Sequence, residues 1–293
     1  MSAVVVFIIF AICLVIAIPI SISLGIVAVL PGAFDASFTA SAGYVIRSMV
    51  GGIDSFPLLA VPMFVLAGIL MAHGKISEKL FDVFVYFLGN KRAGIPCAVI
   101  ITCLFYGAIS GSAPATVAAV GSMTIPLLIE LGYEKDFSTA IVAVAGGLGV
   151  IIPPSIPFIM YAMATGESVS DLFLAGIVPG MMISALLIFY AYYYCRRHGE
   201  DREKIQAKMD QLKTKGFVNI LKESIWALLS PVIVLGCIYT GVASPTEAAV
   251  ISVFYSLFVS LFIYRSIKVK QIWGIMVEAM KTYAPILFIL ATS

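Results

Sequence analysis

Two short stretches hold the residues whose types and spacing could do chemistry. The first is Gly107-Ala-Ile-Ser110-Gly111-Ser112-Ala113-Pro114-Ala-Thr116; the second is Ala145-Gly-Gly-Leu-Gly149-Val-Ile-Ile152-Pro153-Pro154-Ser155-Ile-Pro157. Each sits inside an apolar run, and neither contains Asp, Glu, His, Lys or Arg. The available ligands are therefore hydroxyls of Ser110, Ser112, Thr116 and Ser155 and freed backbone carbonyls. Neutral oxygens of this kind suit a hard monovalent cation, and a proton relay would need ionisable groups, so sodium is favoured. Backbone amides where a helix restarts suit an anion. The glycines of the second stretch are not a phosphate loop, because no strand, Lys or acidic residue accompanies them. Ser110 or Ser112 as a nucleophile lacks a His, Lys or Asp base nearby in sequence, so an enzyme is disfavoured.

Both stretches should interrupt helices. Gly107 and Gly111 weaken a helix and Pro114 removes a donor, so an apolar helix over 95–106 should end there. Ser112 is placed to cap a new helix that carries Pro in its first turn and runs to Leu131. Each half is short for crossing a hydrocarbon core of about 30 Å. The spacing predicts a re-entrant hairpin that enters and leaves beside Lys91 and Arg92. Over 137–165 a crossing helix should unwind near its middle and restart at the prolines. Irregular backbone at membrane depth persists only where protein or a polar cavity satisfies its freed groups. Two such breaks in consecutive segments are the pattern of a secondary-transporter site.

The elements that position these breaks must lie in a lipid bilayer. Of 293 residues, 61% are hydrophobic and only 12% charged, with a mean hydropathy of +1.07. A soluble domain carries about 25% charged residues, so the composition predicts an all-α polytopic membrane protein. A net charge of +2 spread along loops offers no basic face, which excludes nucleic-acid binding. The five cysteines lie in apolar runs without metal-type spacing and read as packing residues. His73 and His198 are isolated in sequence and read as solvated side chains. Crossing helices are expected over 57–72, 171–194, 226–242 and 245–264, and a tight pair of short helices over 3–30 turns about Ile18-Pro19. The segments 38–50, 76–88 and 267–281 are amphipathic and should lie along the interface. Lys75, Lys79, Lys91 and Arg92 form one basic cluster, and residues 196–215 hold another. Both should be cytoplasmic, with the N-terminus periplasmic. Ser244-Pro245-Thr246-Glu247 reads as a capping box, and Glu167, Ser168, Ser170 and Asp171 as a capped turn.

Residues 1–93 are then scaffold and interfacial arm, 94–195 the hairpin and broken helix, and 196–216 a connector. Residues 217–293 should begin an inverted second repeat. Pro19 to Pro57 and Pro245 to Pro285 are similarly spaced, and Phe56-Pro57-Leu-Leu-Ala-Val resembles Ala284-Pro285-Ile-Leu-Phe-Ile. An inverted repeat of this plan should end near residue ~410, so the chain is expected to be incomplete and unable to transport alone.

Five runs together are similar to one family. They are Pro57-Leu-Leu-Ala-Val-Pro-Met-Phe-Val-Leu-Ala-Gly68, Ala108-Ile-Ser-Gly-Ser-Ala113, Gly149-Val-Ile-Ile-Pro-Pro-Ser155, Leu172-Phe-Leu-Ala-Gly-Ile-Val-Pro-Gly180 and Pro245-Thr-Glu-Ala-Ala249. They resemble the large membrane subunit of TRAP (tripartite ATP-independent periplasmic) transporters, in order and over nearly the whole chain. The resemblance implies a sodium-driven, elevator-type importer in the bacterial inner membrane, taking an organic acid such as a sialic acid or C4-dicarboxylate. It implies two partners, a small membrane subunit and a periplasmic substrate-binding protein. It places sodium at Ser110, Gly111, Ser112, Gly149 and Ile152, and substrate at Ser112, Ala113, Thr116, Pro154 and Ser155. The family's second hairpin and second unwound helix have no counterpart in these residues. A structural or channel-forming membrane subunit is the alternative.

Overall fold

The computed structural model describes residues 3–34, 42–214 and 216–292, and every regular element among them is helical. Helix α1 (Ala3–Val15) and α2 (Ile20–Phe34) are separated by a turn in which Ala17 takes a left-handed φ of 64° ahead of Pro19. The two-helix reading of 3–30 therefore holds. Helix α3 (Ala42–Ile53) is amphipathic and bends by 69° into a 3-10 turn (Pro57–Leu59) and α4 (Ala60–His73). Part of the expected segment 38–50 lies outside the described residues, as does residue 2. Helix α5 (Ile76–Leu88) has the bounds its amphipathic pattern predicts.

Helices α6 (Gly94–Ser110) and α7 (Ala113–Glu130) form the hairpin. Helix α8 (Lys135–Gly146), a 3-10 turn (Gly147–Val150) and α9 (Ile156–Thr165) form the broken helix. Then come α10 (Val169–His198), the connector helix α11 (Arg202–Thr214), α12 (Phe217–Tyr239), α13 (Pro245–Phe258) with a π turn (Val259–Ile263), and α14 (Val269–Thr292). Among the described residues, five helices are long and apolar enough to cross a membrane, or up to six if the bent α3–α4 pair is one span.

Two expected boundaries differ. The hairpin break is narrower than the glycines suggest, because α6 continues through Gly107 to Ser110. Gly107 serves a close backbone approach instead of ending the helix. The segment 267–281 is continuous with the apolar residues after it, since α14 runs unbroken through Pro285. The α3–α4 bend has Gly51, Gly52, Asp54 and Ser55 before its proline, whereas only Thr282, Tyr283 and Ala284 precede Pro285. One missing amide kinks a helix at most when no glycine or polar cap helps it unwind. The caps expected at 244–247 and 167–171 do form. Ser244 and Glu247 bond reciprocally at 2.8 and 3.3 Å, and the Ser168 hydroxyl accepts the Asp171 amide at 3.3 Å.

The broken helix lies antiparallel to α10. At one end the Tyr194 ring stacks on Phe137 at 3.9 Å; further along, Gly180 and Gly176 face Ile152 and Ile151. One core gathers Tyr106, Leu128, Leu148 and Phe137 around the hairpin, and the other joins Phe64, Phe173, Ile159 and Val234 around α4. Helix α13 runs parallel to α4: Thr246 donates to the Phe56 carbonyl at one end, and Gly74 abuts Ser260 at the other.

Both feet of the hairpin meet at the start of the connector. One oxygen of Glu200 accepts the Ala93 amide, just before α6, at 3.0 Å and the Tyr133 hydroxyl, just after α7, at 2.7 Å. A span that crossed once could not place its two ends there, so the hairpin doubles back. Burial, and then the bond to Glu200, push the Tyr133 phenol far above its ordinary range, so it stays a donor at physiological pH. The basic loop at Lys91–Arg92 and the basic connector thus share one face, and α10, about 45 Å long at 1.5 Å per residue, carries the turn at Gly166 to the opposite face. Single cysteines at Lys91 and Lys208 in a cysteine-free background should be labelled by an impermeant maleimide from the same side, and one at Glu167 from the other. Labelling of residues 91 and 167 from one side would overturn this topology.

Candidate functional site

The hairpin tip is built by two residues. Gly111 takes a left-handed φ of 63°, which ends α6, and Ser112 returns to an extended conformation whose hydroxyl caps the Ala115 amide at 3.5 Å. The restart brings three oxygens together. The Ser110 and Thr116 hydroxyls lie 3.1 Å apart, and Thr116 donates to the Ser112 carbonyl at 2.8 Å. Ser110 and Thr116 are fully buried, whereas Ser112 and Ala113 are half-buried and Pro114 is exposed.

The broken helix repeats this design. Its 3-10 turn delivers the Ile151 and Ile152 amides to the Leu148 carbonyl at 3.1 and 2.9 Å. The peptide between Pro153 and Pro154 is cis. Ser155 then caps the Phe158 amide at 3.4 Å while its own hydroxyl donates to the Val150 carbonyl at 2.6 Å. Among the described residues the carbonyls of Ile152 and Pro153 accept no hydrogen bond.

The two breaks face each other at backbone distance. The Ile156 amide donates to the Gly111 carbonyl at 3.3 Å, which links one break directly to the other. A Cβ on Gly107 would stand 2.6 Å from the Gly149 Cα, and one on Gly111 would stand 2.9 Å from the Pro154 carbonyl oxygen. Gly149 also rests against the Thr116 hydroxyl, and a Cβ there would lie 2.9 Å from the Ser112 carbonyl oxygen. The expected residues Ser110, Gly111, Ser112, Thr116, Gly149, Pro154 and Ser155 are therefore in one place. Ile152 belongs to the same break but turns its side chain to Gly180 of α10. Ser155 differs in detail: its hydroxyl is spent inside the break and does not face outward.

Sequence reasoning missed the outer walls. Gly68 of α4 accepts the buried Tyr106 hydroxyl at 2.7 Å, and a Cβ on it would lie 2.9 Å from that of Ser110. On the far side, Gly176 of α10 admits the Ile151 carbonyl, which a Cβ there would meet at 2.5 Å. The spacing of Gly176 and Gly180, four apart on one helix face, is a signal of close helix contact that was open to reading. A cavity of about 450 Å³ opens beside the tip, lined by Tyr106, Pro114, Ala115 and Ala118. His73 and Glu278 line it too, paired at 2.9 Å, so His73 is not the isolated side chain its sequence context suggests.

An all-helical chain with membrane-length spans, a doubled-back hairpin and a helix broken against its tip defines a polytopic membrane protein built around paired helix breaks. The chain belongs to the DctM component family of tripartite ATP-independent periplasmic transporters, which residues 7–293 match. It is 42% identical over 282 residues to the isethionate TRAP transporter permease DctMQ of Oleidesulfovibrio alaskensis, covering 96% of this chain and 43% of that protein. It is 38% identical over 240 residues to the C4-dicarboxylate TRAP transporter large permease DctM of Pseudomonas aeruginosa, covering 82% and 55%. Against the 2,3-diketo-L-gulonate TRAP transporter large permease YiaN of Escherichia coli the values are 36% over 247 residues, 84% and 57%. The chain thus spans about half the length of these curated relatives.

The close approach makes a sharp contrast within one glycine cluster. Gly149→Ala drives a methyl group into backbone and should destabilise the protein by about 1–3 kcal/mol, as overpacking does. Gly147→Ala, with nothing within 4 Å of its new methyl, should be neutral or slightly stabilising. Thermal unfolding in detergent checks both; equal melting temperatures for the two variants would contradict the packing described.

Proposed function

We propose that this chain works as the large permease component of a sodium-coupled importer of a small organic acid in the bacterial inner membrane. The observation that carries the proposal is the cluster of the Ser110 and Thr116 hydroxyls and the Ser112 carbonyl, held against the unwound backbone at Gly149. These are neutral oxygens in an apolar setting, and a monovalent cation satisfies several of them without requiring a counter-charge. Ser110, Gly111, Ser112, Gly149 and Ile152 would form the sodium side, with the Thr116 hydroxyl 3.1 Å from that of Ser110. These residues would hold a sodium ion by oxygens from both breaks, reinforcing the bond between the Ile156 amide and the Gly111 carbonyl.

The anion side is formed by the two helix restarts. The Ala113 and Ser155 amides, which directly follow Ser112 and Pro154, lie at the positive ends of α7 and α9, where a carboxylate is stabilised. Ser112, Ala113 and Pro114 are the parts of this region that reach the surface, so substrate meets the hairpin tip before the Pro154–Ser155 turn. A large, exposed apolar surface on α10, including Val178, Met182, Leu186 and Phe189, suits lipid or a small membrane subunit. The periplasmic substrate-binding protein would deliver cargo to the face opposite the basic connector. The hairpin and broken helix would move as the carrying unit against α4, α12 and α13.

Uptake measured in proteoliposomes, with the small subunit and binding protein present and all relevant chain included, tests the proposal. The Ser110→Ala, Ser112→Ala double variant should insert normally and lose sodium-stimulated uptake, while each hydroxyl costs only about 1 kcal/mol in stability. Wild-type sodium affinity in the double variant would place the ion elsewhere. Uptake that ignores the sodium gradient would favour a channel-forming subunit.

A further inference from the structure

Glu200 stands out because nothing in the proposed transport site uses it, yet its side chain is only 2% exposed. A carboxylate is not buried without partners, since desolvating the charge is expensive. Its partners come from three separate parts of the chain. One oxygen accepts the Ala93 amide at 3.0 Å and the Tyr133 hydroxyl at 2.7 Å; the other lies 3.2 Å from the Arg202 guanidinium. Arg202 in turn donates to the Asn90 carbonyl at 3.2 Å. Backbone conformation is fitted to this arrangement. Ala93 holds a left-handed φ of 57° at the N-cap of α6, and no side-chain cap bonds that helix start. Gly132 holds a φ of 91° where a Cβ would stand 3.2 Å from that of Asp201. The connector therefore touches both hairpin feet through Glu200 and the two residues that follow it, Asp201 and Arg202.

We infer that Glu200 is a clasp: by bonding both feet of the hairpin to the connector, it positions the hairpin tip against the broken helix. The lever is simple. Helices α6 and α7 are joined at the tip by only two residues, so a change in the separation of their feet is transmitted along two stiff rods to Gly111 and Ser112. Glu200 supplies a polar tie between the feet, one oxygen accepting from Ala93 on one side and Tyr133 on the other. Glu200 touches neither ion nor cargo and acts on the site through the hairpin. The role assigned to the tip rests on the sodium-coupled reading above; the tie between the feet does not.

The test uses the full transporter and two readouts. Hydrogen exchange read by mass spectrometry reports the Ala93 amide directly, through peptides covering 90–97 and 131–137. Glu200→Ala should raise exchange about tenfold at both feet, the scale of one charge-assisted hydrogen bond, and leave α12 and α13 unchanged. Glu200→Gln keeps an oxygen that can accept from Ala93 and Tyr133, so it should stay within about threefold of wild type. Glu203→Gln, an exposed neighbour on α11, should change nothing. The sodium concentration for half-maximal uptake should rise about tenfold in Glu200→Ala and recover in Glu200→Gln. Unchanged exchange at the feet, or a rise spread equally over α12 and α13, would overturn the clasp. Loosened feet with unaltered sodium activation would overturn its positioning role. If the wild type shows no sodium-dependent uptake, the transport reading fails, and the exchange data still decide whether the clasp exists.

Discussion

Backbone amides and carbonyls released inside an apolar slab must find partners, and the rest of this structure depends on how that is done. Helix α6 stops at Ser110 and α8 stops at Gly146, each leaving a few peptide groups outside any helix. Side-chain caps from Ser112 and Ser155 take up amides at the two restarts. The Gly111 carbonyl takes the Ile156 amide, so each break completes the other. Most of the helices around them can be understood as walls that keep this mutual repair dry. Helix α4 covers Ser110, α10 covers Ile151 and Ile152, and α5 supports α6 from behind.

Those walls meet the site at glycines. Gly68, Gly107, Gly149 and Gly176 each stand where a methyl group would strike backbone or a short side chain on a neighbouring element. Dispersion contacts between backbones at this distance are dense and leave no room for water. Polar oxygens can therefore be buried beside them without being hydrated. This arrangement distinguishes the site from an ordinary buried serine cluster, where flexible side chains surround the hydroxyls.

Much of this was legible in the residues, and the limits have physical causes. Pro114 and Pro153-Pro154 mark restarts because proline cannot donate, and Ser112 and Ser155 mark caps because a short hydroxyl reaches the third amide. Such local rules need no tertiary knowledge. Gly107 reads as part of a break because a glycine weakens an isolated helix, whereas here packing against Gly149 keeps the helix intact. Pro285 looks like a boundary by its likeness to Pro57, but the flanking glycines that open the first bend are absent. The Ala93 and Tyr133 partners of Glu200 and the Glu278 partner of His73 lie 67 to 205 positions away, and no local pattern reveals such pairings. Gly176 and Gly180 carry a readable spacing whose meaning depends on knowing which helix lies opposite.

The meeting of Gly107 with Gly149 has an entropic side. Closing an interface usually freezes rotamers, and each long side chain immobilised costs up to about 1.5–2 kcal/mol. Glycine has none to freeze. At the contacts made by Gly107, Gly111 and Gly149 themselves closure freezes no side chain, and the ordering cost falls on neighbours such as Leu148 and Val142, which pack in the core around the hairpin. The backbone contact itself thus adds no rotamer cost to bringing the two breaks together.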